Sequence, residues 1–141
     1  MNLSRHFTLD ELTFTDHREF DNTPNEKEMQ NLVRLANFME KVRDFLGHPI
    51  IVNSAFRSKA VNDAVGSKDT SQHRLGCAMD FRCLGLTPNE IVSMLRGSSL
   101  PFDQLIREFD RWTHISIPNT PFTPPRGQVL IIDRLGTRPY A

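Results

Sequence analysis

The sequence has few cysteines, no long apolar run and no surplus of charge of either sign. Lys and Arg number 17, as do Asp and Glu, so the chain lacks the basic surplus that is typical of nucleic-acid binding and of docking to anionic membranes. No apolar run reaches the length of a transmembrane helix, and residues 1–7 lack the apolar core of a secretory signal. These absences predict a protein that is made in the cytosol and has neither a nucleic acid nor a membrane as its partner.

The apolar and charged residues that are present fit one globular domain. Hydrophobic residues make up 38% of the chain and charged residues 24%, which is enough to bury one core. The length of 141 residues suits a single domain over 1–141. We expect this domain to be a monomer.

Three segments carry the pattern that begins a helix, in which a Thr and a Glu three residues later satisfy each other's backbone N–H groups. They start at Thr8, Thr23 and Thr87. After Thr23, Pro24 suits the first helical position, apolar residues recur at helical spacing, and Gly47 is typical of a residue that ends a helix. The pattern predicts a main helix of about 23 residues that ends before Gly47.

Five segments have the alternation or composition of strands. They span residues 50–53, 76–83, 104–109, 112–117 and 128–133. The third and fourth are predicted to form a hairpin, and residues 134–141 are predicted to be poorly ordered or to lie along the surface. Strands joined by short turns, with helices grouped rather than alternating, predict an α+β fold with a small antiparallel sheet and helices packed on one face.

Residues that bind metals are concentrated in two stretches, 71–81 and 108–116. His73 precedes the second predicted strand, Asp80 lies on that strand opposite its apolar face, and His114 lies on a later strand. If the two strands are neighbours, all three side chains can converge. Imidazole and carboxylate groups are ligands of zinc, and three protein ligands leave the open position of a catalytic site. The spacing alone is weak, because two histidines and an aspartate occur by chance in a chain of this length.

A catalytic zinc site also needs a group that moves protons, and two carboxylates precede His114. Zinc lowers the pKa of a bound water toward 7, and a nearby carboxylate can take its proton and later give it to the leaving amine. Glu108 is six residues before His114, on the facing strand of the hairpin, and is our candidate general base. Asp110 is the competing candidate, although Asp in a turn commonly serves the turn itself.

The two cysteines, Cys77 and Cys83, are predicted to be free. On one strand over residues 76–83 they would face the same side about 20 Å apart, whereas a disulfide needs Cα atoms within about 7 Å. We expect two buried thiols. The alternative is that Cys77 is a zinc ligand.

Three motifs in order along the chain resemble those of a known family. They are Ser54-Ala55-Phe56-Arg57-Ser58, Ser71-x-His73-x-x-Gly76-x-Ala78-x-Asp80 and Trp112-x-His114-x-Ser116. Together they resemble the M15 family of zinc peptidases, which includes D-Ala-D-Ala carboxypeptidases, vancomycin-resistance dipeptidases and many phage endolysins. The family's fold is shared with the zinc-binding domain of Hedgehog signalling proteins. The resemblance covers nearly the whole chain, and residues 3–12 also resemble the start of small phage and prophage members.

The resemblance implies roles for four side chains. His73, Asp80 and His114 would bind Zn²⁺, and Arg57 would face the active site. There its guanidinium group would hold a substrate carboxylate or stabilise negative charge in the transition state. A structural salt bridge is the alternative role for Arg57.

The sequence departs from the family pattern at one position. Many members have the catalytic Glu three residues before the last zinc-binding His, and this chain has Arg111 there. Glu108 instead matches the Glu that stands six residues before that His in Hedgehog-like sequences. In a tight hairpin, Glu108 would lie beside the second strand and could still reach the metal-bound water.

These features predict a zinc-dependent peptidase that cuts an amide bond next to a D-amino acid in the stem peptide of peptidoglycan. It would be a D,D-carboxypeptidase or an L,D- or D,D-endopeptidase. The expected role is that of a phage or prophage endolysin, which would reach the wall by holin-type release or as part of a virion. The alternative is a non-catalytic zinc-binding domain, such as a phage structural or assembly component or a wall-binding module, since a shared fold does not fix function.

Overall fold

The computed structural model describes residues 1–140, which form four α-helices, one short 3₁₀ helix and six strands. In chain order the α-helices and strands are α1 (Leu9–Leu12), α2 (Glu26–Leu46), β1 (Ile51–Ser54), α3 (Lys59–Ala64), β2 (Ala78–Arg82), α4 (Pro88–Arg96), β3 (Gln104–Glu108), β4 (Trp112–Ser116), β5 (Gln128–Asp133) and β6 (Gly136–Pro139). The 3₁₀ helix, Gln72–Leu75, lies directly before β2. The α+β class predicted from the sequence is confirmed. No helix within residues 1–140 has the length and apolar character needed to cross a membrane.

The main helix begins two residues later than predicted. Asn25, not Thr23, is the N-cap: its side-chain oxygen accepts a hydrogen bond from the Glu28 N–H, and the Glu28 carboxylate accepts one from the Asn25 N–H, both at 2.8 Å. Thr23 lies outside the helix, where its N–H donates to Asp21 at 3.1 Å. Both residues suit an N-cap, so the wrong choice followed from two overlapping capping signals. The predicted end is confirmed, since Gly47 has φ +70°, a conformation that glycine adopts without strain.

The six strands form one sheet in the order β1-β2-β4-β3-β5-β6. Neighbouring strands are antiparallel except β3 and β5, which are parallel. The expectation of a wholly antiparallel sheet is therefore wrong at this pair. The chain leaves β4 through the proline-rich segment 117–127, returns to the beginning of β3, and enters β5 running in the same direction, with the Gln128 N–H bonded to the Asp103 carbonyl.

The end of the chain is a strand rather than a loosely held tail. β6 pairs with β5, the Asp133 carboxylate accepts hydrogen bonds from Arg138 at 2.7 and 2.8 Å, and the Tyr140 hydroxyl donates to Asn89 at 2.8 Å. Of the two alternatives predicted for 134–141, poor order is wrong for residues 136–140, which lie along the surface largely as an exposed edge strand, and Ala141 lies outside the described residues. Period-2 alternation is short and interrupted here, which is why the strand was missed.

The two faces of the sheet have different roles. One face packs its apolar side chains against α2 and α4 in a core that includes Met79, Phe81, Leu105 and Ile115. Cys77 and Cys83 are part of this core and are free, as predicted; burial raises the pKa of each thiol to about 11. The opposite face carries the polar residues of the candidate site.

Candidate metal centre

Two of the three predicted metal ligands come from neighbouring strands in the middle of the sheet. Asp80 on β2 is paired with His114 on β4, and residues directly opposite each other in an antiparallel pair project from the same face. The Asp80 Oδ1 lies 2.9 Å from the His114 Nδ1. The same register places Met79 and Ile115, one residue along each strand, on the core face. Strand pairing thus brings the carboxylate and one imidazole together.

The third predicted ligand, His73, reaches the same point from the 3₁₀ helix before β2. Its Nε2 lies 3.4 Å from the Asp80 Oδ2. Its Nδ1 lies 2.6 Å from the backbone carbonyl oxygen of Ala55, and a carbonyl can only accept, so Nδ1 carries the hydrogen. The Nε2 lone pair is therefore free to bind a metal, an arrangement in which the outer partner fixes the tautomer of the ligand.

The electrostatics of the cluster suit a cation. His73 is buried, and burial lowers its pKa, which favours the neutral form that a metal ligand must have. Burial alone would raise the pKa of Asp80, but the two histidines beside it outweigh burial and lower its pKa well below the usual range. Asp80 is therefore a carboxylate, and the cluster presents two imidazoles and one negative charge.

Glu108 lies at the edge of this cluster. It is the last residue of β3, where it pairs with Trp112, and its Oε1 is 3.9 Å from the His114 Nδ1. Burial, together with the charge of Asp80, raises the pKa of Glu108 above its usual value. A raised carboxyl pKa is common in groups that accept and release protons near neutral pH.

Asp110, the competing base candidate, is not part of the cluster. It is exposed at the tip of the hairpin between β3 and β4, and its Oδ2 accepts a hydrogen bond from Arg107 at 2.8 Å. Phe109 and Asp110 have φ values of +54° and +53°, which match a tight hairpin turn. The Arg111 N–H then donates to the Glu108 carbonyl at 3.0 Å. Arg111 is exposed beside this turn, so the structure separates it from the three clustered residues.

Arg57 faces the cluster from the segment after β1. Its Nη2 lies 3.5 Å from the Asp80 Oδ2, and its side chain is only 15% exposed. Burial lowers its pKa, and the charges of Asp80 and Glu108 counteract that effect; an arginine stays charged in such a site. Both roles expected for Arg57 are compatible with this position, because it pairs with Asp80 and also borders a small pocket of about 170 Å³ that includes Ser54 and Asp16.

Several residues around the centre were not identified from the sequence. The Ala55 carbonyl that orients His73 is a backbone group, so no residue type could have revealed it. Trp112 belongs to one of the three motifs, and it faces the same side as Glu108. Asp103 is buried and binds Gln72, the residue before His73, at 3.0 Å. An acidic residue within a largely apolar stretch was the sequence signal that could have identified Asp103.

The residues present fit a zinc ion. One ligand atom from each of His73, Asp80 and His114 lies within 4.8 Å of the others, and all three residues are buried. Two imidazole nitrogens and one carboxylate oxygen form a known catalytic zinc set, with a fourth position open. Cys77, the alternative ligand, lies in the core and not in this group.

Comparison with known proteins agrees with this geometry. A family model described as Peptidase M15 matches residues 5–116, a span that includes β1 to β4 and all of the residues in the cluster. No curated protein matches the chain.

Proposed function

We propose that this chain, which belongs to the peptidase M15 family of zinc peptidases, cleaves an amide bond next to a D-amino acid in the stem peptide of peptidoglycan. The observation that carries the proposal is the position of Glu108, 3.9 Å from His114 at the edge of a buried His-Asp-His cluster. A purely structural metal site has no use for a second carboxylate, half-buried and with a raised pKa, beside its three ligands.

His73 Nε2, Asp80 and His114 Nδ1 would hold Zn²⁺. When bound, the ion lowers the pKa of water and polarises the carbonyl of the scissile bond. Strand pairing and the Ala55 carbonyl hold these side chains in place before substrate arrives, so little reorganisation is needed on binding.

Glu108 would act as the general base and then as the general acid. Its Oε1 would take a proton from the attacking water and give it to the nitrogen of the leaving amine. The raised pKa of Glu108, caused first by burial, makes it a stronger base toward the attacking water than an exposed carboxylate would be. The geometry favours Glu108 over Asp110 because Asp110 is exposed and paired with Arg107.

Arg57 would orient the substrate or stabilise charge as it develops. Its guanidinium group lies 3.5 Å from the Asp80 Oδ2, and beside the cluster it could hold a carboxylate of the peptide through two hydrogen bonds. Arg57 also lines a small pocket with Asp16 and Ser54. A pocket of about 170 Å³ suits a short residue such as alanine. This supports cleavage close to the carboxyl end of a stem peptide, by a carboxypeptidase or by an endopeptidase that cuts near that end.

The endolysin role is also a proposal. It is supported by the resemblance of residues 3–12 to small phage and prophage members. In this role the monomeric protein would be made in the host cytoplasm and would reach the wall by holin-type release or in a virion.

Digestion of purified peptidoglycan tests the function. Zinc-loaded protein is incubated with walls of several stem-peptide types, and mass spectrometry identifies the released fragments. We expect one defined stem-peptide product from the wild type and none from zinc-loaded Glu108→Gln. If folded, zinc-loaded wild type releases nothing from any wall type, the proposal fails in favour of a non-catalytic zinc domain.

A further inference from the structure

A second, larger groove adjoins the metal cluster on the side away from β1. It has a volume of about 580 Å³ and includes His114 in its lining, so it opens directly onto the cluster. Its floor is formed by Ile106 of β3 and by Leu130 and Ile132 of β5. Ile106 pairs with both His114 and Leu130, so the floor and the cluster share one face of the sheet. The groove is a continuous extension of the site.

Four of the twelve residues that line this groove come from the part of the chain beyond the family match. The match ends at residue 116, whereas β5 and β6 span 128–139. Thr137 of β6 completes the outer edge of the floor. The pairing of β5 with β3 and the hydrogen bond from the Tyr140 hydroxyl to Asn89 of α4 hold this hairpin against the rest of the domain, and Arg138 donates to Asp133 within it. The hairpin therefore gives the groove a rigid floor that the family motifs do not supply.

The charged groups at the mouth of the groove are cationic. Lys68 and Arg126 line it, and no acidic residue does. Lys68 is exposed and forms no ion pair within residues 1–140. Arg126 binds the buried Asp103 through Nε and Nη2, at 3.1 and 2.7 Å. That pairing fixes the guanidinium group, while its Nη1 has no partner among the described residues.

We propose that this groove binds the part of the stem peptide that lies across the cleaved bond from Arg57, and that Lys68 and Arg126 select a substrate that carries a carboxylate there. The proposal rests on the peptidase function above. Arg57 lines the small pocket on the other side of the cluster. A peptide bound across the metal centre would therefore have a short segment near Arg57 and a long segment in the groove. A carboxylate on the long segment meets the ammonium group of Lys68, unpaired within residues 1–140, and the remaining edge of the Arg126 guanidinium group, whose charge is shared with Asp103.

Binding measured without turnover tests the proposal. Zinc-loaded Glu108→Gln protein is titrated with two synthetic stem peptides, one with the free carboxylate of its γ-linked D-glutamyl residue and one with that group amidated. Trp112 is the single tryptophan of the chain and lies beside Glu108, so its fluorescence reports binding. Hydrogen bonds to charged groups predict about tenfold tighter binding of the free acid.

Substitutions at the mouth of the groove should remove this preference. In the same background, Lys68→Glu should reduce the ratio of the two affinities to about one, and Lys68→Gln should give an intermediate ratio. Lys41→Gln, at an exposed position on α2, is the matched control and should keep the wild-type ratio. Arg126→Gln is a less direct test because it also leaves the buried Asp103 carboxylate without its ion-pair partner. Equal binding of the two peptides, or a preference that survives Lys68→Glu, would overturn the proposal.

Turnover of the same peptides by the active protein separates this inference from the function on which it rests. A Lys68-dependent preference in binding with no hydrolysis by the wild type would refute the peptidase function and leave the carboxylate site standing. Hydrolysis of both peptides with equal affinity would support the peptidase function and refute the carboxylate site.

Discussion

Asp80 lies directly opposite His114 in the pairing of β2 with β4, and its carboxylate lies between two imidazoles, 2.9 Å from His114 Nδ1 and 3.4 Å from His73 Nε2. Two of the three candidate metal ligands thus come from adjacent strands near the middle of a six-stranded sheet. Sites built on strands are held more precisely than sites on loops. The geometry of the centre therefore depends on the register of one strand pair.

Substitution of each candidate base in turn should distinguish their roles. Glu108→Gln keeps the shape of the side chain and removes its ability to take a proton, so we expect kcat to fall by about 10²–10⁴-fold with little change in zinc content. Asp110→Asn, at the exposed end of the same hairpin, should change kcat by less than about twofold. Steady-state kinetics on a stem peptide, with zinc measured in each preparation, checks both.

A large loss of kcat in Asp110→Asn with full zinc occupancy would move the base to the hairpin tip. Retention of activity in Glu108→Gln would exclude proton transfer by Glu108. Equal losses in both variants would point to damage to the hairpin, which circular dichroism and thermal unfolding would detect.

Gly76→Ala should destabilise the protein far more than Gly47→Ala. Both glycines have positive φ, +79° and +70°, so an added Cβ strains either backbone by about 1–2 kcal/mol. At Gly76 the new atom would also meet the Glu28 carbonyl oxygen at 2.9 Å and Leu32 Cγ at 3.0 Å, whereas nothing lies within 4 Å at Gly47. We expect a loss of about 2–4 kcal/mol for Gly76→Ala.

Urea unfolding of the two glycine variants at equal zinc loading gives the comparison. Gly76 follows the 3₁₀ helix that carries His73, so its substitution should also weaken zinc binding, while Gly47→Ala should not. Equal stability of the two variants would show that the contact between the 3₁₀ helix and α2 is loose enough to admit a methyl group at Gly76.

Asp103→Asn should destabilise the protein in a pH-dependent manner. Burial alone would raise the pKa of Asp103, but hydrogen bonds from Arg126 and Gln72 outweigh it and lower the pKa below the usual value. A lowered folded-state pKa stabilises the protein above the unfolded pKa of about 3.9, and this contribution is lost as pH falls through the folded-state pKa. We expect a difference of about 1–3 kcal/mol at pH 7 that shrinks below about pH 4.

Denaturant unfolding of wild type and Asp103→Asn between pH 3 and 7 measures this linkage. Asp133→Asn, at an ion pair on the exposed hairpin β5–β6, is a control for a solvent-exposed pair and should cost little at any pH. A constant difference across the pH range would mean that the Asp103 charge is not what stabilises the network.

The strand alternation around Asp80 and His114 was enough to place both side chains on one face. Alternation has a period of two, so each apolar neighbour in the core fixes which face the polar residue takes. Glu108 could not be placed in the same way. The predicted strands 104–109 and 112–117 leave a two-residue turn that would pair Phe109 with Trp112 and set Glu108 opposite Thr113. In the structure β3 ends at Glu108, three residues form the turn, and Glu108 pairs with Trp112 on the face of His114. The motifs of the family then added the link to His73, which no local pattern provides.

What the sequence did not reveal depends on contacts between distant segments. The partner of β5 is β3, through a parallel pairing that is reached across the proline-rich segment 117–127, and no turn signal specifies that route. β6 is short and polar, and it forms a strand because it pairs with the outer edge of β5. The groove beside His114 depends on both strands, so it too could not be predicted.

The most direct test of the account is the titration of metal-free protein with Zn²⁺ while hydrolysis of a stem peptide is followed. We expect activity to rise in proportion to bound zinc and to level off at one equivalent, with His73→Ala and His114→Ala failing to bind the ion tightly. Zinc at a hundred times its Kd should also raise the free energy of unfolding by about 2.7 kcal/mol. Zinc that binds at one equivalent to the wild type without producing any hydrolysis, or activity that survives in His114→Ala, would contradict the assignment of this centre as the catalytic site.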